Sequence, residues 1–85
     1  MNQEYVVKDI LEFISVDPEI RFGKPCIQGT RISVGDILGW LSAGMSTESI
    51  IEDYPELQEI HIRAALAFAA NRDKITKVFI REAVA

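Results

Sequence analysis

A series of helix start and stop signals divides residues 33–72 into three short helices. Ser33 is a favourable N-cap residue, and Asp36 stands three positions later, where a capping box places an acidic side chain. Gly44 lies where a glycine commonly ends a helix, and Pro55 stops the next helical segment. Helices joined by turns this short predict a helix-turn-helix-like trihelical core.

The apolar residues of this region recur at helical spacing. The first helix carries an apolar stripe formed by Val34, Ile37, Leu38 and Leu41, joined by Trp40. Ser46 or Thr47 is expected to cap the second helix, whose buried side holds Ile50, Ile51 and Tyr54. The third helix is expected to begin at 56–58 and to direct inwards Ile60, Ala64, Leu66, Ala67, Phe68 and Ala70.

Residues 14–32 are rich in turn-forming residues. These break the segment into short apolar pieces such as 14–16 and 26–27, which predict two or three very short strands. Gly29 is expected to adopt a positive φ, and Pro25 restricts Lys24 to extended backbone. Strands this short are not stable alone, so their edges are expected to pair with a second copy in a homodimer.

The distribution of charge conflicts with a DNA-reading helix-turn-helix. Residues 32–62 contain no Lys or Arg and six acidic residues, whereas the rest of the chain carries nine basic and seven acidic residues. Neutralisation of phosphates by cations supplies most non-specific affinity for DNA. An acidic second helix would suit the cationic surface of a protein partner better.

Composition sets the outer bounds on fold and location. Eighty-five residues make one small domain with a thin core, and a hydrophobic content of 48% favours a folded chain. The apolar runs are too short to span a membrane, and an export signal is not evident. Cys26 is the single cysteine, which fits the reducing cytoplasm.

The two ends of the chain are predicted to lie outside the core. Residues 1–13 indicate a short helix or an arm, and residues 73–85 form an amphipathic tail. Candidate partner-binding residues in this tail are Ile75, Val78, Phe79 and Arg81. Two interpretations stay open, since an apolar helix face can dock on its own domain or a sister chain, or else bind a partner.

Motifs in the middle of the chain resemble those of the DUF433 family. They are DPEIRFGKPCIQGTRISV at 17–34, LGWLSAGMSTESIIEDYP at 38–55 and IRAALAFAA at 62–70. The resemblance covers residues 14–70 and implies a homeodomain-like or winged-helix-like trihelical fold. The chain is expected to form one domain spanning 1–85, with a core over 14–72. It also implies a role as the VapB-style antitoxin of a toxin–antitoxin pair, whose partner would be a small PIN-like nuclease.

Candidate DNA-binding residues lie mostly in the turn-rich segment. Lys24 and Arg31 could hold phosphates with help from Thr30, and Arg63 is a further candidate. Alternatively, Arg31 pairs with an acidic residue such as Asp17 or Asp36 and fixes the β segment to the helices.

Residues that could support catalysis are not arranged for it. His61 is the sole histidine and lacks metal-ligand neighbours, and Cys26 has no base adjacent in sequence. The acidic residues Glu48, Glu52 and Asp53 are better explained as a solvated helix face than as a Mg²⁺ site. The chain is therefore expected to be neither an enzyme nor a cofactor-binding protein.

A mainly α domain with a small N-terminal β element is the predicted fold class. The predicted function is that of an antitoxin-type binding protein, which neutralises a nuclease by protein–protein contact and could bind its own operator DNA as a dimer. The alternative is an interaction or assembly module that has the helix-turn-helix-like fold without binding DNA.

Overall fold

A small sheet precedes three helices in the computed structural model, which describes residues 12–72. Strands β1 (Ile14–Ser15) and β2 (Cys26–Ile27) are antiparallel, and Ile14 lies opposite Ile27. The connection between them contains a 3₁₀ turn, Arg21–Gly23, and a further bridge joins Cys26 to Ser33. The predicted fold class, mainly α with a small N-terminal β element, is confirmed.

Three helices follow the sheet: α1 (Val34–Ser42), α2 (Thr47–Asp53) and α3 (Glu59–Ala70). The predicted capping box at the start of α1 is present, because the Asp36 N–H donates to Ser33 Oγ at 2.9 Å and the Ser33 N–H donates to Asp36 Oδ2 at 3.1 Å. Ser46 rather than Thr47 caps α2, since its Oγ accepts from the Ser49 N–H at 3.1 Å.

Gly44 ends α1 as the sequence predicts. Its φ of 97° lies in the left-handed region, and its N–H donates to the Leu41 carbonyl at 3.0 Å. The Met45 N–H donates to the Trp40 carbonyl, also at 3.0 Å. Together these two bonds form a Schellman motif, which satisfies carbonyls that the helix end would otherwise leave unpaired.

The predicted start of the third helix at 56–58 is wrong. Instead, α3 begins at Glu59 with Gln58 as its N-cap residue, and the residues after α2 form a turn in which the Leu57 N–H donates to the Tyr54 carbonyl at 2.9 Å. Leu57 is 1% exposed and fills the core from this turn. An apolar residue that is drawn into the core can therefore delay a helix start.

The core lies where the sheet and the three helices meet. Its buried residues are Ile14, Ile27, Val34, Ile37, Ile50, Leu57, Ile62, Ala64 and Ala65. The predicted inward positions of Ile60, Leu66 and Ala70 are wrong, since the first two side chains are 39% and 47% exposed and Ala70 is exposed at the end of α3. Helix α1 packs mainly on α3, where the alanines allow close approach and Leu66 is left outside.

Two backbone predictions for the β segment are confirmed. Gly29 has a φ of 78°, and Lys24 before Pro25 is extended, with φ −68° and ψ 140°. Cys26 is fully buried as a small apolar residue. Within the part of the chain that the structure describes, no helix is long and apolar enough to cross a lipid bilayer.

Candidate functional site

An arginine fixes the β segment to the first helix, but it is Arg21 and not Arg31. Its Nη1 donates to Asp36 Oδ2 at 2.9 Å and to the Arg31 carbonyl oxygen at 2.9 Å. The prediction that Arg31 pairs with Asp36 is therefore wrong in the residue, although the kind of contact is as expected. Asp36 thus joins the cap of α1 to the turn that carries Arg21.

The Asp36 carboxyl has a pKa below its ordinary value. Partial burial acts to raise that pKa. Hydrogen bonds from the Arg21 side chain and the Ser33 N–H, together with the charge of Arg21, outweigh this effect and lower the pKa. The same hydrogen bond raises the pKa of Arg21. The carboxylate is consequently ionised at neutral pH and can hold both donors.

The turn at Arg21–Gly23 has an unusual backbone. Three successive residues have positive φ: 53° at Arg21, 59° at Phe22 and 81° at Gly23. Glycine adopts this left-handed backbone conformation without strain, whereas a residue with a bulky side chain adopts it at an energetic cost. The contacts of Arg21 with Asp36 compensate its strain, whereas the Phe22 side chain is 99% exposed. Phe22 is therefore an aromatic residue held in solvent by a strained turn.

The candidate DNA-binding residues differ in how free they are. Lys24 and Arg31 are exposed, and neither side chain forms an ion pair within residues 12–72. The Thr30 hydroxyl is occupied, because it donates to the Ile27 carbonyl at 2.9 Å and accepts from the Ile32 N–H at 3.0 Å. Arg63 donates to Glu59 at 2.9 Å on the surface of α3.

Helix α2 presents a strongly acidic surface. Glu48, Glu52 and Asp53 are exposed, and none of them forms an ion pair with another described residue. The last two carboxylates border an open depression, whose other lining residues are Ala43, Gly44, Met45, Ser46 and Ser49. We call Glu48, Glu52 and Asp53 the acidic face.

His61 has a local structural role. Its Nδ1 accepts from the Gln58 N–H at 2.8 Å, which caps the start of α3. The ring also meets Phe13 edge-on, with centroids 5.7 Å apart and an interplanar angle of 80°. Within the described residues, no group of His, Cys, Asp and Glu side chains is placed to hold a metal ion.

The aromatic residues near the first turn pack on each other. Trp40 stacks on Tyr54 with centroids 4.3 Å apart and an interplanar angle of 13°. Both rings, like Phe68, are partly buried against the core.

A family model described as "Protein of unknown function (DUF433)" matches residues 14–69 of the chain. The chain belongs to the DUF433 family. The predicted resemblance over 14–70 is thereby confirmed for the family and its extent, while the family description carries no activity.

Two further similarities agree with membership of DUF433. The chain is 36% identical over 58 residues to the uncharacterized protein y4eO of Sinorhizobium fredii (strain NBRC 101917 / NGR234), over 68% of this chain and 26% of that protein. This chain thus spans about a quarter of the length of that relative. A crystal structure of a DUF433 member protein from Anabaena variabilis ATCC 29413 aligns with a TM-score of 0.66 and 21% identity, over 91% of this chain and 83% of that one. This second similarity supports the fold.

Two features of the DUF433 chain escaped prediction. Arg21 and Phe22 lie in the sequence IRFGKP, where a glycine after Phe22 signals a turn but does not indicate that the preceding residues share its left-handed backbone.

The candidate partner-binding residues Ile75, Val78, Phe79 and Arg81 lie outside the described residues, as does most of the N-terminal arm.

Proposed function

We propose that this DUF433 protein is an antitoxin-type binding protein that neutralises a small PIN-like nuclease by direct protein–protein contact. The observation that carries the proposal is the acidic face of α2. Its carboxylates are exposed and have no ion-pair partner within residues 12–72. The chain spans only part of its relative's length, so the proposal concerns this domain.

Charge complementarity favours a cationic partner. A nuclease that cleaves RNA needs a positively charged groove for the phosphate backbone, and the acidic face can meet such a groove as the nucleic acid would. Opposite charges also steer the two proteins together and raise the association rate. Residues 32–62 contain no Lys or Arg, so no cation within this segment weakens the attraction.

The same charges argue against α2 as a DNA recognition helix. In a helix-turn-helix the second helix enters the major groove between two phosphate backbones. Here that helix would bring Glu48, Glu52 and Asp53 towards a polyanion. The helix-turn-helix-like fold is thus better suited to contact with a protein than to the usual docking on DNA.

Inhibition of the nuclease tests this function. The nuclease encoded by a neighbouring reading frame would be purified, and its cleavage of RNA measured against increasing amounts of the parent protein. Glu48→Gln/Glu52→Gln should weaken inhibition by roughly tenfold and reduce its dependence on ionic strength. Glu52→Gln alone should weaken it less, and Glu12→Gln, which removes one exposed charge far from α2 in sequence, should inhibit as the parent does.

Two results would contradict the proposal. One is a nuclease that neither co-purifies with the parent protein nor loses activity in its presence. The other is equal inhibition by the parent and by Glu48→Gln/Glu52→Gln at low ionic strength. Truncation after Arg72 tests whether the tail binds the nuclease. A truncated protein that folds but no longer inhibits would show that the contact is made by residues 73–85.

Operator binding is a second candidate function. It is favoured by Lys24 and Arg31, two exposed basic residues that lie outside the acidic segment 32–62. These two side chains, rather than Thr30 or Arg63, are available for phosphates. Arg31→Ala should then weaken binding to the promoter DNA and flatten its salt dependence, while Glu52→Gln should leave binding intact or tighten it. Equal binding by parent and Arg31→Ala in a mobility-shift titration would exclude this contact. The alternative is an assembly module that binds no DNA.

The proposal places the protein in the cytoplasm and assigns it no catalytic reaction. A buried, unpaired Cys26 is compatible with reducing conditions. The inhibition experiment also checks the second point, because RNA incubated with this protein alone should stay intact.

A further inference from the structure

Phe22 is the most exposed large apolar side chain among the described residues. It is 99% exposed, although its backbone has the costly φ of 59°. A glycine at this position would remove both penalties from the isolated chain. Within residues 12–72 the phenyl ring has no contact that would offset them, so the ring fits a contact that this part of the chain does not make.

The turn that carries Phe22 is held firmly in place. The Gly23 N–H donates to the Ile20 carbonyl at 3.2 Å, and the Ile20 N–H donates to the Asp17 carbonyl at 2.9 Å. A Cβ on Gly23 would lie 3.9 Å from the Cα of Pro18, so the turn folds back on the segment that follows Val16. A backbone held in this way loses little conformational freedom on binding.

Val16 adds a second exposed apolar side chain to this region, with 63% of its surface accessible. Exposed charged side chains of both signs lie in the same segment of the chain, and we call the exposed residues together the turn face: Val16, Asp17, Glu19, Phe22, Lys24 and Arg31. An aromatic anchor within a polar rim is the composition typical of a protein interface.

The charge of the turn face suits a second copy of the same chain. It carries two acidic and two basic residues, while the Arg21–Asp36 pair beside it is internally neutral. In a two-fold symmetric interface each residue meets the same surface of the sister chain, so a face of uniform charge repels itself and a mixed face can pair acids with bases. The acidic face, by contrast, cannot meet itself in this way.

We propose that the turn face is the self-association surface of this protein, and that Phe22 is its central anchor in an isologous homodimer. The inference does not rest on the proposed antitoxin function, and it competes with operator binding, because Lys24 and Arg31 would pair with acidic residues of the sister chain instead of with phosphates. It assigns the expected dimer to contacts of the turn face rather than to pairing of strand edges. The strained backbone at Phe22 then serves to hold the phenyl ring away from the core of its own chain.

Replacement of Phe22 separates dimerisation from folding. Sedimentation velocity over a concentration series should show a dimer for the parent, and Phe22→Ala should weaken self-association by roughly 100-fold, because the loss of an interface anchor occurs on both chains. Leu66→Ala, which removes another exposed apolar side chain, should leave it unchanged. Phe22→Gly should abolish the dimer while raising the stability of the monomer, since glycine relieves the left-handed backbone.

Charge reversal tests the symmetry of the interface. Lys24→Glu/Arg31→Glu makes the turn face entirely acidic and should give a monomer, and Glu19→Lys should also weaken the homodimer. When these two variants are mixed, a heterodimer should form. Restored association cannot result from misfolding of either variant.

Three outcomes would overturn the inference. One is a parent protein that stays monomeric at high micromolar concentration, and another is a dimer that survives Phe22→Gly. The last is a mixture of the charge variants that remains monomeric. A monomeric parent whose binding to single-stranded oligonucleotides is lost with Phe22→Ala would instead assign the ring to stacking on bases.

Discussion

Replacing Asp36 with asparagine should destabilise the protein, because one carboxylate oxygen joins two parts of the fold. Asp36 Oδ2 accepts from the Ser33 N–H at 3.1 Å and from Arg21 Nη1 at 2.9 Å. Asparagine has nearly the same shape and keeps one acceptor oxygen, so the capping geometry is retained. The substitution therefore removes the negative charge and little else.

The expected loss follows from the chemistry of the cap. A hydrogen bond to a charged group stabilises a protein by about 1.5–3 kcal/mol and a neutral one by about 0.5–1.5 kcal/mol, so conversion of the cap to its neutral form costs about 1 kcal/mol. Asp36 is 32% exposed at its side chain, and solvent screening keeps the loss near that value. In a domain of this size, about 1 kcal/mol lowers the melting temperature by roughly 4–8 °C.

The pH dependence of the difference gives a sharper test. The pKa of Asp36 is lowered in the folded protein, so its stabilisation is fully present above the unfolded pKa, about 3.9, and disappears as the pH falls through the folded value. Parent and Asp36→Asn should differ by a constant amount from pH 7 to about pH 5. Below about pH 4 the two free energies of unfolding should converge.

Urea denaturation at pH 7, 5 and 3.5 would measure this convergence. Asp53→Asn is the matched control, because it makes the same chemical change at an exposed site without an ion pair in the described region. Its free energy of unfolding should stay within about 0.5 kcal/mol of the parent. Equal stability of parent and Asp36→Asn at pH 7, or a difference that does not shrink on acidification, would refute the assigned role of Asp36.

Three further substitutions test the helix ends and the core, each by the midpoint of urea denaturation. Gly44→Ala should cost about 1 kcal/mol, since its φ of 97° disfavours a side chain although no atom lies within 4 Å of the added Cβ. Leu57→Ala should cost about 2–5 kcal/mol through the cavity it leaves, and an unchanged midpoint would remove Leu57 from the core. His61→Ala should cost about 1 kcal/mol by removing the cap on the Gln58 N–H, and an unchanged midpoint would contradict that role.

The features that the sequence predicted correctly depend on neighbours a few residues apart. The Ser33–Asp36 capping box, the glycine that ends α1 and the extended backbone before Pro25 each involve contacts over five residues or fewer. Each of these features depends only on the identity of residues close together in the sequence. They can therefore be recognised without knowledge of the tertiary structure.

The incorrect predictions depend on contacts between distant parts of the chain. Asp36 has Arg21 and Arg31 within reach in sequence, and only the fold of the intervening turn determines which guanidinium approaches it. Similarly, Leu57 fills the core from the turn before α3, whereas Ile60 on the helix itself is exposed. Charge and hydrophobicity predicted the types of contact at both places, but the particular residues are fixed by packing.

The turn face and the acidic face lie on different elements and differ in charge, so one contact need not exclude the other. Phe22 lies in the connection between the strands, whereas Glu48 and Glu52 lie on α2. A dimer formed through the turn face would leave each α2 free for a cationic partner, and we expect a complex of two copies with two nuclease molecules. Phe22→Gly should then yield a one-to-one complex with the same intrinsic affinity, measured by light scattering and calorimetry. Loss of nuclease binding in that variant would mean that the two faces form one site.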